Sequence, residues 1–250
     1  MSRPATRSIA IALGVIGLTG ATAQVSALDF HQQIDDPVVT ILGVDDFQTT
    51  GADMAGMLVT AHFSAGASES VVWQATGTDS GGVFGANQDW SLTQSGDSFH
   101  EPWNLFYGGG KGLLVGFSID GMAAGFGEVG VMFDRTFGFE FGTPGSFMGW
   151  DYQTLTDLPF DTVITYRSAI ALPGEEPVGD LFRYLDVRFM HRAGDEFSAP
   201  GIAGLDGVDL RSLSFIADTD NNIIPEPGSL ALLSLGGLML LARRRNPATR

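Results

Sequence analysis

The strongest constraint on this chain is a period of two. Met57, Val59, Ala61 and Phe63 alternate with Leu58, Thr60, His62 and Ser64. Val71, Trp73 and Ala75 alternate with Ser70, Val72 and Gln74. Leu113, Val115, Phe117 and Ile119 face away from Gly116, Ser118 and Asp120, and Phe137, Phe139 and Phe141 face away from Thr136, Gly138 and Glu140. Successive side chains of a strand point to opposite faces, so the pattern describes antiparallel strands with one face in a core. Further strands are expected at 162–172, 181–190 and 210–217. Gly, Asp, Ser and Asn clusters punctuate them, and no segment between the termini sustains a helical stripe. About ten short strands predict an all-β domain, a two-sheet antiparallel sandwich with jelly-roll-like connections.

Such a sandwich has no cross-links to rely on, because none of the 250 residues is cysteine. Its core alone must hold it, and thiol catalysis, Cys-ligated zinc and iron–sulfur clusters are excluded. Between residues 28 and 242 stand 29 acidic and seven basic residues, a formal charge of −22. That surface repels nucleic acid and anionic membranes, so no nucleic-acid partner is expected. It favours solubility and attracts divalent cations or cationic matrix material.

The two ends have a different character. Arg3 and Arg7 precede an apolar run at 9–18 and then small residues. This is the build of a signal peptide over 1–27, expected as an N-terminal signal helix, with cleavage after Ala27 and with Ala23 as a competing site. An uncleaved anchor is the other reading, although the run is short for a membrane span. Cleavage implies the Sec export machinery and signal peptidase as partners. At the other end, Pro225-Glu226-Pro227 leads into an apolar run at 230–242 and then Arg243, Arg244 and Arg245. The run predicts a short hydrophobic helix, marginal as a transmembrane helix, with its basic end held in the cytoplasm. The prolines keep the segment outside it extended and open to a protease. The expected organisation is signal peptide 1–27, β-sandwich 28–217, polar linker 218–224 and tail 225–250.

This tripartite tail resembles the C-terminal sorting signal of the PEP-CTERM family of exported bacterial proteins. The likeness covers 225–245 with order and spacing intact, and residues 246–250 extend beyond it. The resemblance implies an exosortase as partner, a membrane-embedded protease that removes the tail near the Pro-Glu-Pro. Its recognition residues would be Pro225, Glu226, Pro227, Arg243, Arg244 and Arg245. It also implies a protein anchored transiently in the inner membrane through the C-terminal helix. Its destination would be the cell surface or extracellular matrix of a Gram-negative bacterium that makes exopolysaccharide or biofilm. A second stretch, from Gly51-Ala52-Asp53-Met54 through Gly81-Gly82-Val83 to Ser95-Gly96-Asp97 and Trp103, is similar to an arrangement among PEP-CTERM surface proteins of unassigned activity. It implies no reaction.

Candidate chemistry is sparse. Gly125-Phe126-Gly127-Glu128-Val129-Gly130 spells a dinucleotide fingerprint, but Val131-Met132-Phe133 after it reads as a strand where a helix is needed. Gly108-Gly109-Gly110-Lys111-Gly112 lacks the spacing of a P-loop and the hydroxyl residue that holds magnesium. His31, His62, His100 and His191 have no metal-binding spacing, and no serine sits in a nucleophile elbow. Glu175-Glu176 reads as a loop pair. No catalytic residue and no cofactor are expected, a structural calcium excepted. Its candidates are Asp218, Asp220 and Asn222, which alternate oxygen ligands, although Ile223 and Ser229 stand where an EF-hand has Gly and Glu. A solvated acidic loop is the competing reading. Trp73 lies on an apolar strand face and belongs in the core. Trp90 beside Asp89 and Trp103 beside Pro102 are the expected glycan contacts. The reading is a non-enzymatic surface or matrix protein, with an exopolysaccharide-binding module and a secreted hydrolase as alternatives.

Overall fold

Regular alternation becomes strand where it was expected. In Leu58–Phe63 the residues Val59, Ala61 and Phe63 are buried, while Leu58, Thr60 and His62 are half-buried. The computed structural model describes residues 28–34, 37–46, 48–123, 130–135, 149–177, 179–190 and 211–222. The expected signal peptide with Ala27, the glycine run 125–130 apart from Gly130, the strand expected at 136–141, His191, the tail and the helices expected at the two termini lie outside these residues.

The first strands are β1 (Asp29–Ile34), β2 (Val39–Thr40), β3 (Val44–Asp46), β4 (Leu58–Phe63), β5 (Ser68–Val72), β6 (Gln74–Ala75), β7 (Ser80–Phe84) and β8 (Trp90–Ser95). Then come β9 (Trp103–Tyr107), β10 (Leu114–Asp120), β11 (Val131–Asp134), β12 (Gln153–Thr154), β13 (Asp161–Ala171), β14 (Leu181–Met190), β15 (Ser212–Ile216) and β16 (Asp218–Asn222). No helix occurs among the described residues.

The larger sheet follows the order β3-β16-β11-β14-β10-β4-β5. β13 takes the other edge of β14, and β1 and β2 pair with β13 in parallel, an exception to the expected antiparallel pairing. The smaller sheet has the order β12-β15-β9-β8-β7-β6. Short turns let β6, β7, β8 and β9 each pair with the next, so this sheet is a meander and lacks the expected jelly-roll winding.

Aromatic rings fill the space between the sheets. Phe117 of β10 stacks on Phe215 of β15 at 5.5 Å between centroids, and Phe63 of β4 meets Tyr107 of β9 at 5.9 Å. Trp103 and Tyr152 also stack on Phe215. All of these side chains are at most 3% exposed, so the sandwich has one continuous aromatic centre.

Two details depart from simple alternation. The strand expected through Ser70 and Ala75 is split: β5 belongs to the larger sheet, β6 to the smaller, and Trp73 is buried at the corner between them. In β10 the pairing with β4 shifts between Leu114 and Gly116. This bulge sends Leu114 into the core and leaves Leu113 and Val115 half-buried. Gly116 has φ 156°, and a Cβ there would come within 2.3 Å of the Val187 carbonyl oxygen. The third departure, strand β16 where a linker was expected, forms the site.

Candidate metal centre

Asp218–Asn222 was expected to be a solvated linker, yet it is a paired strand with Asp218, Thr219 and Asp220 buried. A run of five polar residues becomes a strand because β11 on one side and β3 on the other complete its backbone hydrogen bonds. In the antiparallel register Asp134 stands opposite Asp218, and Met132 opposite Asp220. Directly opposed residues share a sheet face, so the three aspartates share one face while Phe133 points into the main core.

One carboxylate oxygen from each of Asp134, Asp218 and Asp220 lies within 4.8 Å of the others. None of the three is more than 1% exposed. Two like charges at that distance repel by about 3 kcal/mol at an effective dielectric constant near 20. Burial first, and then the Asp134 charge, push the Asp218 carboxyl up to about 8. Its Oδ1 accepts from the Ser98 hydroxyl at 3.0 Å and from the Thr219 amide at 2.8 Å. Its Oδ2 is shielded from solvent and accepts no hydrogen bond.

The surroundings are built closely around these groups. Ser98 also bonds the Thr219 hydroxyl at 2.9 Å, and its amide donates to the Thr49 carbonyl. The Asp218 amide donates to the Trp150 carbonyl at 3.1 Å. A Cβ on Gly149 would sit 2.7 Å from the Asp134 carboxyl carbon, so only glycine lets that segment pass so near. Oxygen-only donors at this density suit a hard divalent cation such as calcium or magnesium, and they do not suit copper or a thiolate-loving metal.

Of the expected calcium ligands, Asp218 and Asp220 thus come together. Asn222 closes the same strand, with its side chain outside the description. Sequence reasoning missed Asp134. The only local signal was an aspartate ending the apolar run Val131-Met132-Phe133.

The expected glycan contacts are corrected. Trp90 and Trp103 are both 0% exposed, so neither offers a ring face to a sugar. Each sits on an inward position of its strand, and its indole N–H is satisfied internally, by Glu69 for Trp90 and by the Ala217 carbonyl for Trp103. Trp150 is the tryptophan at the surface, 43% exposed and 5.8 Å from the Phe99 ring, which in turn meets His100 edge-on.

His62 is half-buried on the outward face of β4. Its Nε2 lies 2.8 Å from Ser118 Oγ and its Nδ1 3.1 Å from Ser68 Oγ, beside an open cavity of about 260 Å³ with Arg188 on its wall. Burial lowers its pKa. Ser118 is mid-strand, paired to Thr60 on one side and Asp186 on the other. The amides around it are committed to two ladders, so they are not arranged to hold an oxyanion. The cluster reads as a polar ladder on the sheet face.

No curated protein and no solved structure matches the chain. Residues 224–246 match the family model of the PEP-CTERM protein-sorting motif. The match takes in Pro225, Glu226, Pro227, Arg243, Arg244 and Arg245 and begins two positions after the end of β16. The chain therefore carries a PEP-CTERM sorting motif at its C-terminal end, the mark of an exported protein that is anchored transiently and processed by an exosortase.

Proposed function

We propose that this protein is a non-enzymatic component of the cell surface or extracellular matrix of a Gram-negative bacterium, held there against exopolysaccharide in a biofilm. Export runs through the Sec machinery and signal peptidase, with cleavage after Ala27. The C-terminal helix then anchors the chain in the inner membrane until an exosortase cuts near Pro225. The observation that carries this reading is the sorting motif at 224–246, placed directly after an acidic, cysteine-free β domain.

The carbohydrate contact in this reading belongs to the exposed Trp150, with the half-buried Phe99 ring beside it. A large flat ring at the surface beside a second ring is the kind of platform on which a sugar stacks.

The test is the intact mass of the protein recovered from the cell surface and medium of an exosortase-bearing host. Loss of both termini, with a new C-terminus near Pro225, is expected. Replacing Pro225, Glu226 and Pro227 together by alanine should leave a full-length species in the membrane fraction. Normal processing of that variant would overturn the sorting mechanism.

A further inference from the structure

We propose that Asp134, Asp218 and Asp220 bind one calcium ion, and that this ion fastens β16, the strand from which the sorting tail departs, to β11.

The argument starts from what β16 lacks. Its sequence, Asp-Thr-Asp-Asn-Asn, contains no apolar side chain, so hydrophobic burial does not hold it. On one side its partner β3 has three residues, and the pairing shifts between Asn221 and Asn222. On the other side four register pairs join it to β11. Yet this strand connects the sandwich to the segment that is anchored in the membrane and then cut. Any pull on the tail is borne first by β16.

The side chains offer a second fastening. Asp134 comes from β11, and Asp218 and Asp220 come from β16. Their oxygens converge within 4.8 Å in a region closed to solvent, so one cation among them ties the two strands across the ladder. An independent observation points to a ligand there. Asp218 is 1% exposed, its Oδ1 is already engaged by Ser98 and Thr219, and its Oδ2 is buried with no donor. In folded proteins the large majority of buried polar side-chain atoms have a hydrogen-bond partner. A calcium ion satisfies such an oxygen without a proton and tolerates irregular oxygen geometry. Magnesium demands near-ideal octahedral order and keeps several waters, which this closed site disfavours. The strength expected of an extracellular calcium module is a Kd of about 0.1–1 mM.

The test uses the full chain in detergent, stripped with EGTA and titrated with calcium alone. Saturable binding of one ion is expected, together with slowed amide hydrogen exchange concentrated in 131–134 and 218–222. Asp220→Asn and Asp134→Asn each keep the fold by circular dichroism and weaken binding at least tenfold. Absence of saturable binding up to about 10 mM calcium would overturn the proposal. So would protection that appears elsewhere in the chain, or a folded variant that binds like the parent. Should one variant fail to fold, the other variant and the exchange map of the unaltered chain still decide.

Discussion

Trp90 of the smaller sheet donates its indole N–H to Glu69 of the larger sheet at 2.7 Å. The other oxygen of Glu69 accepts the Ala86 amide at 2.8 Å. Lys111 reaches Glu69 and Asp89 from the glycine-rich crossover between the sheets, and its ammonium lies over the Phe63 ring. The Lys111 hydrogen bond, opposed by burial, holds the Glu69 carboxyl below its ordinary pKa. The loop at 108–112 therefore serves as a latch between sheets.

Removing the carboxylate should expose the value of that latch. Glu69→Ala leaves the buried Trp90 N–H without its acceptor, which costs about 1–3 kcal/mol. Glu69→Gln, which keeps an acceptor oxygen, should lose less. Urea denaturation midpoints of the two variants check this. A change below about 0.5 kcal/mol for the alanine variant would mean that the contact does not hold the sheets together.

Two glycines pack backbone against backbone at the sheet corner. A Cβ on Gly81 would lie 2.0 Å from the Gly51 carbonyl oxygen and 2.3 Å from Trp73 Nε1, while that same carbonyl accepts the Trp73 indole N–H at 2.7 Å. Gly81→Ala should cost about 1–3 kcal/mol or more, lowering Tm by about 4–10 °C. Gly77→Ala is the control. Its Cβ meets only the movable Ser80 side chain, and its loss should stay within about 0.5 kcal/mol. Equal melting of both variants would show that the corner is not closely packed.

Acid should weaken the fold partly through Asp151. Burial raises its pKa, but hydrogen bonds from His31 at 3.0 Å and Arg135 at 2.9 Å outweigh it and hold the carboxyl at about 2, against 3.8 ordinarily. The unfolded chain thus takes up this proton first. The contribution is fully present above about pH 4, falls as pH drops through the window between 4 and 2, and is gone below 2. Its size is about 2 kcal/mol. Urea midpoints of the parent and Asp151→Asn, measured from pH 5 to pH 2, should converge as pH falls. A constant difference across that range would be the contrary result.

Glycan contact and stability should separate cleanly between two tryptophans. Trp150→Ala removes an exposed ring and should weaken binding to the host exopolysaccharide by roughly tenfold, with little change in melting. Trp90→Phe disturbs the core and should lower Tm while leaving binding unchanged. Affinity electrophoresis in gels containing the polysaccharide reads both. Retained binding in Trp150→Ala would move the contact away from this surface.

The sequence by itself determined the class of fold and the address. Period-two alternation is a local property, so β4, β13, β14 and β15 were legible from their residues alone. The sorting motif was legible because it is a contiguous string of residues with its own order and spacing. The tertiary structure alone decided the meander, the parallel pairing of β1 with β13 and the slip in β10, since these depend on which strands become neighbours. It also decided which polar-looking residues are inside. Trp90 and Trp103 are flanked by polar residues and proline, yet their strands turn them inward. Asp218 and Asp220 read as solvated until β11 and β3 enclosed them, and Asp134 joined them through a strand order that no local period encodes. Burial is a property of the assembled sheets, and so the acidic centre belongs to the fold and to no single segment.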